Sequence, residues 1–164
     1  MAEPANPAGK PPAAPPQDPD DPLAGQPPLR RRTRARELAL QALYLLDIRG
    51  PGAQPEVAML LEAKAGDRDV LSFARALVGG CFRRRDELDE KIADVAENWD
   101  IRRMAVIDRN ILRLGTYELL VLTDIPPKVS INEAIELAKK YSTADSGSFV
   151  NGILDKLRTR LRPE

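Results

Sequence analysis

Apolar residues recur every three or four positions from Leu38 to Leu161, and no segment sustains an alternating apolar–polar pattern. That period predicts helices. Leu38, Ala42, Leu45 and Arg49 share one helical face, widened by Ala39, Leu43 and Leu46, with Thr33 as the expected N-cap and Gly50-Pro51-Gly52 as the stop. A short helix is expected over 56–64, closed by Gly66, and Asp67 is placed to cap the next, whose stripe is Val70, Phe73, Leu77 and Cys81. The apolar series then runs on through Leu88, Ile92, Val95 and Trp99, and Gly79-Gly80 marks a close helix contact or a weakened turn. Ile107, Ile111, Leu114 and Leu119 predict a helix over about 103–122, ended by Pro126-Pro127. Ser130 and Glu133 read as a capping box opening a helix through Ile135, Ala138 and Tyr141. A last helix begins at Asp145 or Ser146 and turns Phe149, Ile153, Leu157 and Leu161 inward. The expected fold is all-α, about seven helices, packed as one bundle or two linked bundles.

Residues 1–29 break the pattern. Ten of the fifteen prolines lie between Pro4 and Pro28, and few large apolar groups accompany them. Such a stretch is expected to be a disordered, partly polyproline II tail ahead of a helical domain over 30–164. No apolar run resembles a secretory signal or a membrane span, so a cytoplasmic protein is expected. The chain has 25 basic and 25 acidic residues, but Glu3, Asp18, Asp20 and Asp21 against Lys10 give the tail a net of −3 (1 − 4) and leave the remainder at +3 (24 − 21). There is no His and a single Cys, Cys81. Imidazole acid–base chemistry, Ser-His-Asp and Cys-His pairs, His ligation, an internal disulfide and Cys-cluster zinc or iron–sulfur sites are thereby excluded. No catalytic constellation and no cofactor site emerge, and an enzyme is not expected.

The strongest charged feature is Arg30, Arg31, Arg32, Arg34 and Arg36, five arginines in seven residues at a helix start. Guanidinium groups grip phosphate, and the helix N-terminus adds amide donors. If each arginine met one phosphate of a single strand, log K would fall against log salt with a slope of about −3.5. The plainer reading is a solvated basic flank. Tyr44 and Phe149 are candidates for stacking unpaired bases, with core packing the plainer reading by pattern alone, and Tyr141 is a weaker candidate that equally reads as a helix-end residue packed on its neighbours. Arg83-Arg84-Arg85 reads as a solvated run, and Asp86, Glu90 and Asp94 as a polar helix face rather than a metal site.

Four blocks carry a resemblance: RTRARELALQALY at 32–44, DRNILRLGTYEL at 108–119, PPKVSINEAIELAKKY at 126–141 and SGSFVNGILDK at 146–156. In this order and spacing they resemble the NusB family of bacterial transcription antitermination factors, from about Arg31 to Arg162. The resemblance implies two linked three-helix subdomains. It implies binding of single-stranded boxA RNA in ribosomal RNA leaders together with NusE, a small-subunit ribosomal protein, and joining of other Nus factors and RNA polymerase. It assigns Arg31, Arg32, Arg34 and Arg36 to an RNA-contacting segment, Tyr44 and Phe149 to aromatics near the RNA, Asp145 to a nearby acidic position tied to RNA affinity, and Asp108 to the helix facing NusE. Two departures stand out. Thr33 interrupts the arginines where relatives commonly carry a basic residue, and the Pro-rich tail has no counterpart; its acids are expected to compete with RNA for the arginines. Two other classes fit parts of the pattern. One is a helical protein–protein adaptor, monomer or homodimer. The other is the targeting domain of an RNA cytosine methyltransferase, for which the chain has no catalytic βα units.

Overall fold

The computed structural model describes residues 28–162. Seven α-helices follow one another there: α1 (Pro28–Arg49), α2 (Gln54–Ala65), α3 (Arg68–Arg83), α4 (Arg85–Val95), α5 (Val106–Leu120), α6 (Pro127–Tyr141) and α7 (Ser146–Leu161), with short 3₁₀ turns at Pro51–Ala53 and Ile101–Arg103. No strand occurs among the described residues, as the periodicity required. The expected disordered tail lies, through residue 27, outside them.

Local chemistry sets most helix ends. Gly50 (φ 84°) ends α1 and Gly66 (φ 72°) ends α2, both in the left-handed region where a Cβ is costly. The Asp67 carboxylate accepts from the amides of Asp69 (2.6 Å) and Val70 (3.4 Å) and so caps α3. Two expected starts are corrected. α1 begins at Pro28, not after Thr33, whose hydroxyl instead donates to Glu133 Oε1 at 2.8 Å. α6 begins at Pro127, because proline's fixed φ and missing N–H suit the first turn, and Ser130 therefore sits inside the helix, with its hydroxyl turned to Glu118 (3.0 Å). The capping box is not formed; both of its members serve tertiary contacts.

α1, α2 and α3 pack on one another, α5, α6 and α7 on one another, and α4 joins α3 to α5 and α7. A single core runs through both groups. α5 is its axis: it touches α1, α3, α4, α6 and α7, and every residue from Asn110 to Leu119 is buried. Small residues allow the close approaches. A Cβ on Gly80 would lie 2.2 Å from Tyr117 Cζ, and one on Gly115 would lie 2.7 Å from Leu154 Cδ1. Gly80 is thus the close contact that the glycine pair signalled. Trp99 departs from expectation. α4 ends at Val95, and Trp99 stands beyond it at 59% exposure instead of continuing the core stripe.

A helix buried on all sides must bury whatever polar groups it carries, and each then needs a partner. Arg113, in the middle of α5, makes a two-pronged contact with Asp89 of α4 (2.7 and 2.8 Å) and reaches Asp47 of α1 (3.0 Å). Asp47 also accepts from Arg109 Nε (2.9 Å) and Asn110 (3.0 Å). Burial would raise the Asp47 pKa, but the Arg109 hydrogen bond, the Arg113 charge and the Asn110 amide outweigh it and hold the carboxyl below its usual range.

Candidate nucleic-acid interface

An α-helix turns 100° per residue, so five arginines in seven positions cannot share one face. The structure separates them. Arg30 and Arg32 are exposed, and Arg32 lies over the Phe73 ring of α3, 5.0 Å from its centroid. Arg34 is half-exposed and meets Glu37 at a loose 3.4 Å. Arg31 pairs with Asp67, the α3 cap. Arg36 is corrected outright: only 1% exposed, it cannot reach a phosphate from the folded state. Its Nε and Nη2 donate to the two Glu118 oxygens at 2.9 and 2.6 Å, Glu118 being 2% exposed, and its Nη1 lies 3.6 Å from Glu133 Oε1. This is a buried, bidentate ion pair completed by the Ser130 hydroxyl. It ties α1 to α5 and α6, so the exposed arginines project from a fixed base.

Two further links join α1 to α6. Thr33 meets Glu133, and Glu37 meets Lys140 Nζ at 2.7 Å, which raises the Lys140 pKa. These pairs link α1 to α6 through their side chains. Tyr44 stands seven residues after Glu37, on the same face and about 10 Å further along. It is 40% exposed, not a core residue. Glu37 thus meets the last turn of α6, just before the chain turns into α7.

At that turn lie the other expected residues. Asp145 is exposed, immediately before α7, and its backbone carbonyl accepts the Phe149 amide at 3.2 Å. Phe149 is half-buried and meets Trp99 edge to face, with centroids 5.2 Å apart and planes at 67°. Asp108 is half-buried, and both its oxygens are engaged within the chain, by Ser142 (2.6 Å) and Ser146 (3.1 Å). It fastens the α6–α7 turn to the start of α5. Lys140 approaches the Tyr141 ring at 5.4 Å.

Sequence reasoning missed the supports. Asp47, Arg113 and Glu118 hold the helices together, and the available signal was a charge inside an otherwise apolar run, as in Leu112-Arg113-Leu114. Cys81 is fully buried, and burial raises its thiol pKa well above the ordinary range, which makes it inert. No group of three metal-ligating side chains occurs among the described residues, and no helix there is long and apolar enough to cross a membrane.

Comparison with known proteins decides the relationship. The model of the NusB family matches residues 33–159. The chain belongs to the NusB family. It is 49% identical over 134 residues to the transcription antitermination protein NusB of Anaeromyxobacter dehalogenans, covering 81% of this chain and 94% of that one. It is 47% identical over 131 residues to NusB of Geobacter sulfurreducens, covering 79% and 95%. Its fold overlays NusB of T. maritima with a TM-score of 0.71 at 38% identity, covering 80% of this chain and 93% of that one. It also overlays a chain in the crystal structure of the antitermination factors NusB and NusE in complex with double-stranded RNA, with a TM-score of 0.73 at 32% identity, covering 80% and 98%. The matched region contains α2 to α6 entirely and most of α1 and α7.

Proposed function

We propose that this chain is an RNA-binding transcription antitermination factor that takes boxA-type single-stranded RNA of ribosomal RNA leaders together with NusE. The pair would then join other Nus factors and RNA polymerase in the cytoplasm. The observation that carries this reading is an arginine cluster, exposed Arg30 and Arg32 with half-exposed Arg34, at the head of α1 in a chain whose NusB relative is found with NusE and double-stranded RNA. The role is binding rather than catalysis; the sequence offers no His and no reactive thiol.

The geometry suggests a division of labour. Arg32 and Arg34 supply phosphate attraction, which steers encounter but does not choose sequence. Tyr44 and Phe149 offer rings on which splayed bases stack, and base-edge hydrogen bonds add the choice. Asp145, exposed beside Phe149, carries a negative charge that restrains RNA affinity there. Arg36 is a positioning residue: through Glu118 it fixes the helix that presents Arg32 and Arg34. Asp108 holds the turn that carries Asp145 and Phe149, and through it shapes the surface open to NusE. Arg31 contributes charge while paired to Asp67.

The test is a fluorescence-anisotropy titration of a boxA-type RNA against a scrambled strand, over a salt series, with and without NusE. Preference for boxA that sharpens with NusE is the expected result. Equal, steeply salt-dependent binding of both strands would reduce the protein to a basic helical adaptor.

A further inference from the structure

Trp99 has no assigned role, and its setting is unusual for a large aromatic. It is the only tryptophan in the chain, and it is 59% exposed. A ring of that size left in water loses the burial that ordinarily justifies it. Its backbone is nevertheless fixed on both sides. The Trp99 amide donates to the Ala96 carbonyl at 3.0 Å, and the next residue, Asp100, caps the following 3₁₀ turn by accepting the Arg102 amide at 3.0 Å. That hydrogen bond, foremost, holds the Asp100 carboxyl below its usual pKa range. The indole rests edge to face on Phe149, 5.2 Å away, and the two rings form an open corner. A ring held on a rigid perch and offered to solvent is preorganised for a planar ligand.

We infer that Trp99, braced edge to face by Phe149, stacks an unpaired RNA base. This rests on the RNA-binding reading above and extends it to a residue and a chemistry. The flank is charge-balanced, with Glu97 and Asp100 set against Arg102 and Arg103, and the Arg102 side chain is 88% exposed with its Nε 3.5 Å from Asp100. Phosphate attraction is therefore not the contribution made here; π-stacking is. A single strand is favoured over a duplex because paired bases already have both faces covered. A protein partner with an apolar side chain could also cover the corner, and the experiment separates that case.

Because Trp99 is the sole indole, its emission reports on this site alone. The full chain is titrated with a short boxA-type single strand while indole emission and the anisotropy of labelled RNA are followed together. The expected result is quenching with the same midpoint as the anisotropy. Trp99→Ala should bind about 5- to 150-fold more weakly. Its slope of log K against log salt should not change, because no phosphate contact is removed. Trp99→Phe should recover part of the loss, and thermal melting of both variants should stay near the parent, since little buried area is lost. Three results would overturn the inference while leaving RNA binding intact: anisotropy rising with unchanged emission, quenching in the parent but full affinity in Trp99→Ala, or emission that responds only to NusE without RNA. No anisotropy change with any strand would instead bring down the RNA reading and this inference with it.

Discussion

Arg36→Ala separates a phosphate contact from a structural ion pair. Arg36 and Glu118 are 1% and 2% exposed and joined by two hydrogen bonds of 2.9 and 2.6 Å. Removing the guanidinium strands the Glu118 carboxylate in the core with only the Ser130 hydroxyl at 3.0 Å. Breaking a buried pair from one side costs about 3–5 kcal/mol. That is a large share of the ~5–15 kcal/mol by which a domain is stable. At roughly 3–4 °C per kcal/mol for a domain of this size, melting should fall by about 10–20 °C. The assays are thermal melting, urea denaturation and RNA titration at a temperature where the variant stays folded. There its RNA affinity should fall less than that of Arg32→Ala, and its salt slope should match the parent's because no phosphate contact is removed. Replacing both partners with leucine, Arg36→Leu with Glu118→Leu, leaves no buried charge and should melt above either single change. A melting temperature within about 2 °C of the parent, together with RNA binding weakened as in Arg32→Ala, would refute the reasoning and return Arg36 to the phosphate-binding set.

Three other expectations follow from the geometry. With Arg30, Arg32 and Arg34 as the exposed set, the salt slope for single-stranded RNA should be about −2 rather than −3.5, and Arg32→Ala should make it shallower by about 0.7; anisotropy over a salt series measures both. Gly80→Ala would push a methyl into the Tyr117 ring, 2.2 Å from Cζ, and should cost about 1–3 kcal/mol or more by urea denaturation, whereas Gly52→Ala, with nothing within 4 Å, should stay within about 0.5 kcal/mol. The Asp47 pKa is held down in the folded state, so its pairing with Arg109 and Arg113 contributes stability that is full above the unfolded pKa of about 4 and lost as pH falls through the lower folded value. Asp47→Asn should therefore flatten the acid limb of a stability–pH curve and leave a smaller difference from the parent at low pH.

The helices were legible in the sequence because their signals are local. Period, glycine stops at Gly50 and Gly66, and the Asp67 cap each act within one or two turns, and the structure places them as expected. The family was legible for a related reason: motif order and spacing are properties of the chain itself. What failed were inferences in which a side chain had two possible partners. Ser130 and Glu133 have the spacing of a capping box, yet Glu118, Thr33 and Arg36 compete for them from other helices, and the tertiary partners win. Trp99 completes an apolar series in the sequence, but α4 ends at Val95, and a residue past the helix end no longer shares its face. The arginine cluster shows the division most clearly. The sequence by itself determined that five positive charges stand at the head of a helix. Only the tertiary structure decided that Arg36 turns inward to Glu118 while Arg32 stays in water, because a helix spreads consecutive residues around its axis and the neighbouring helices choose which side is buried.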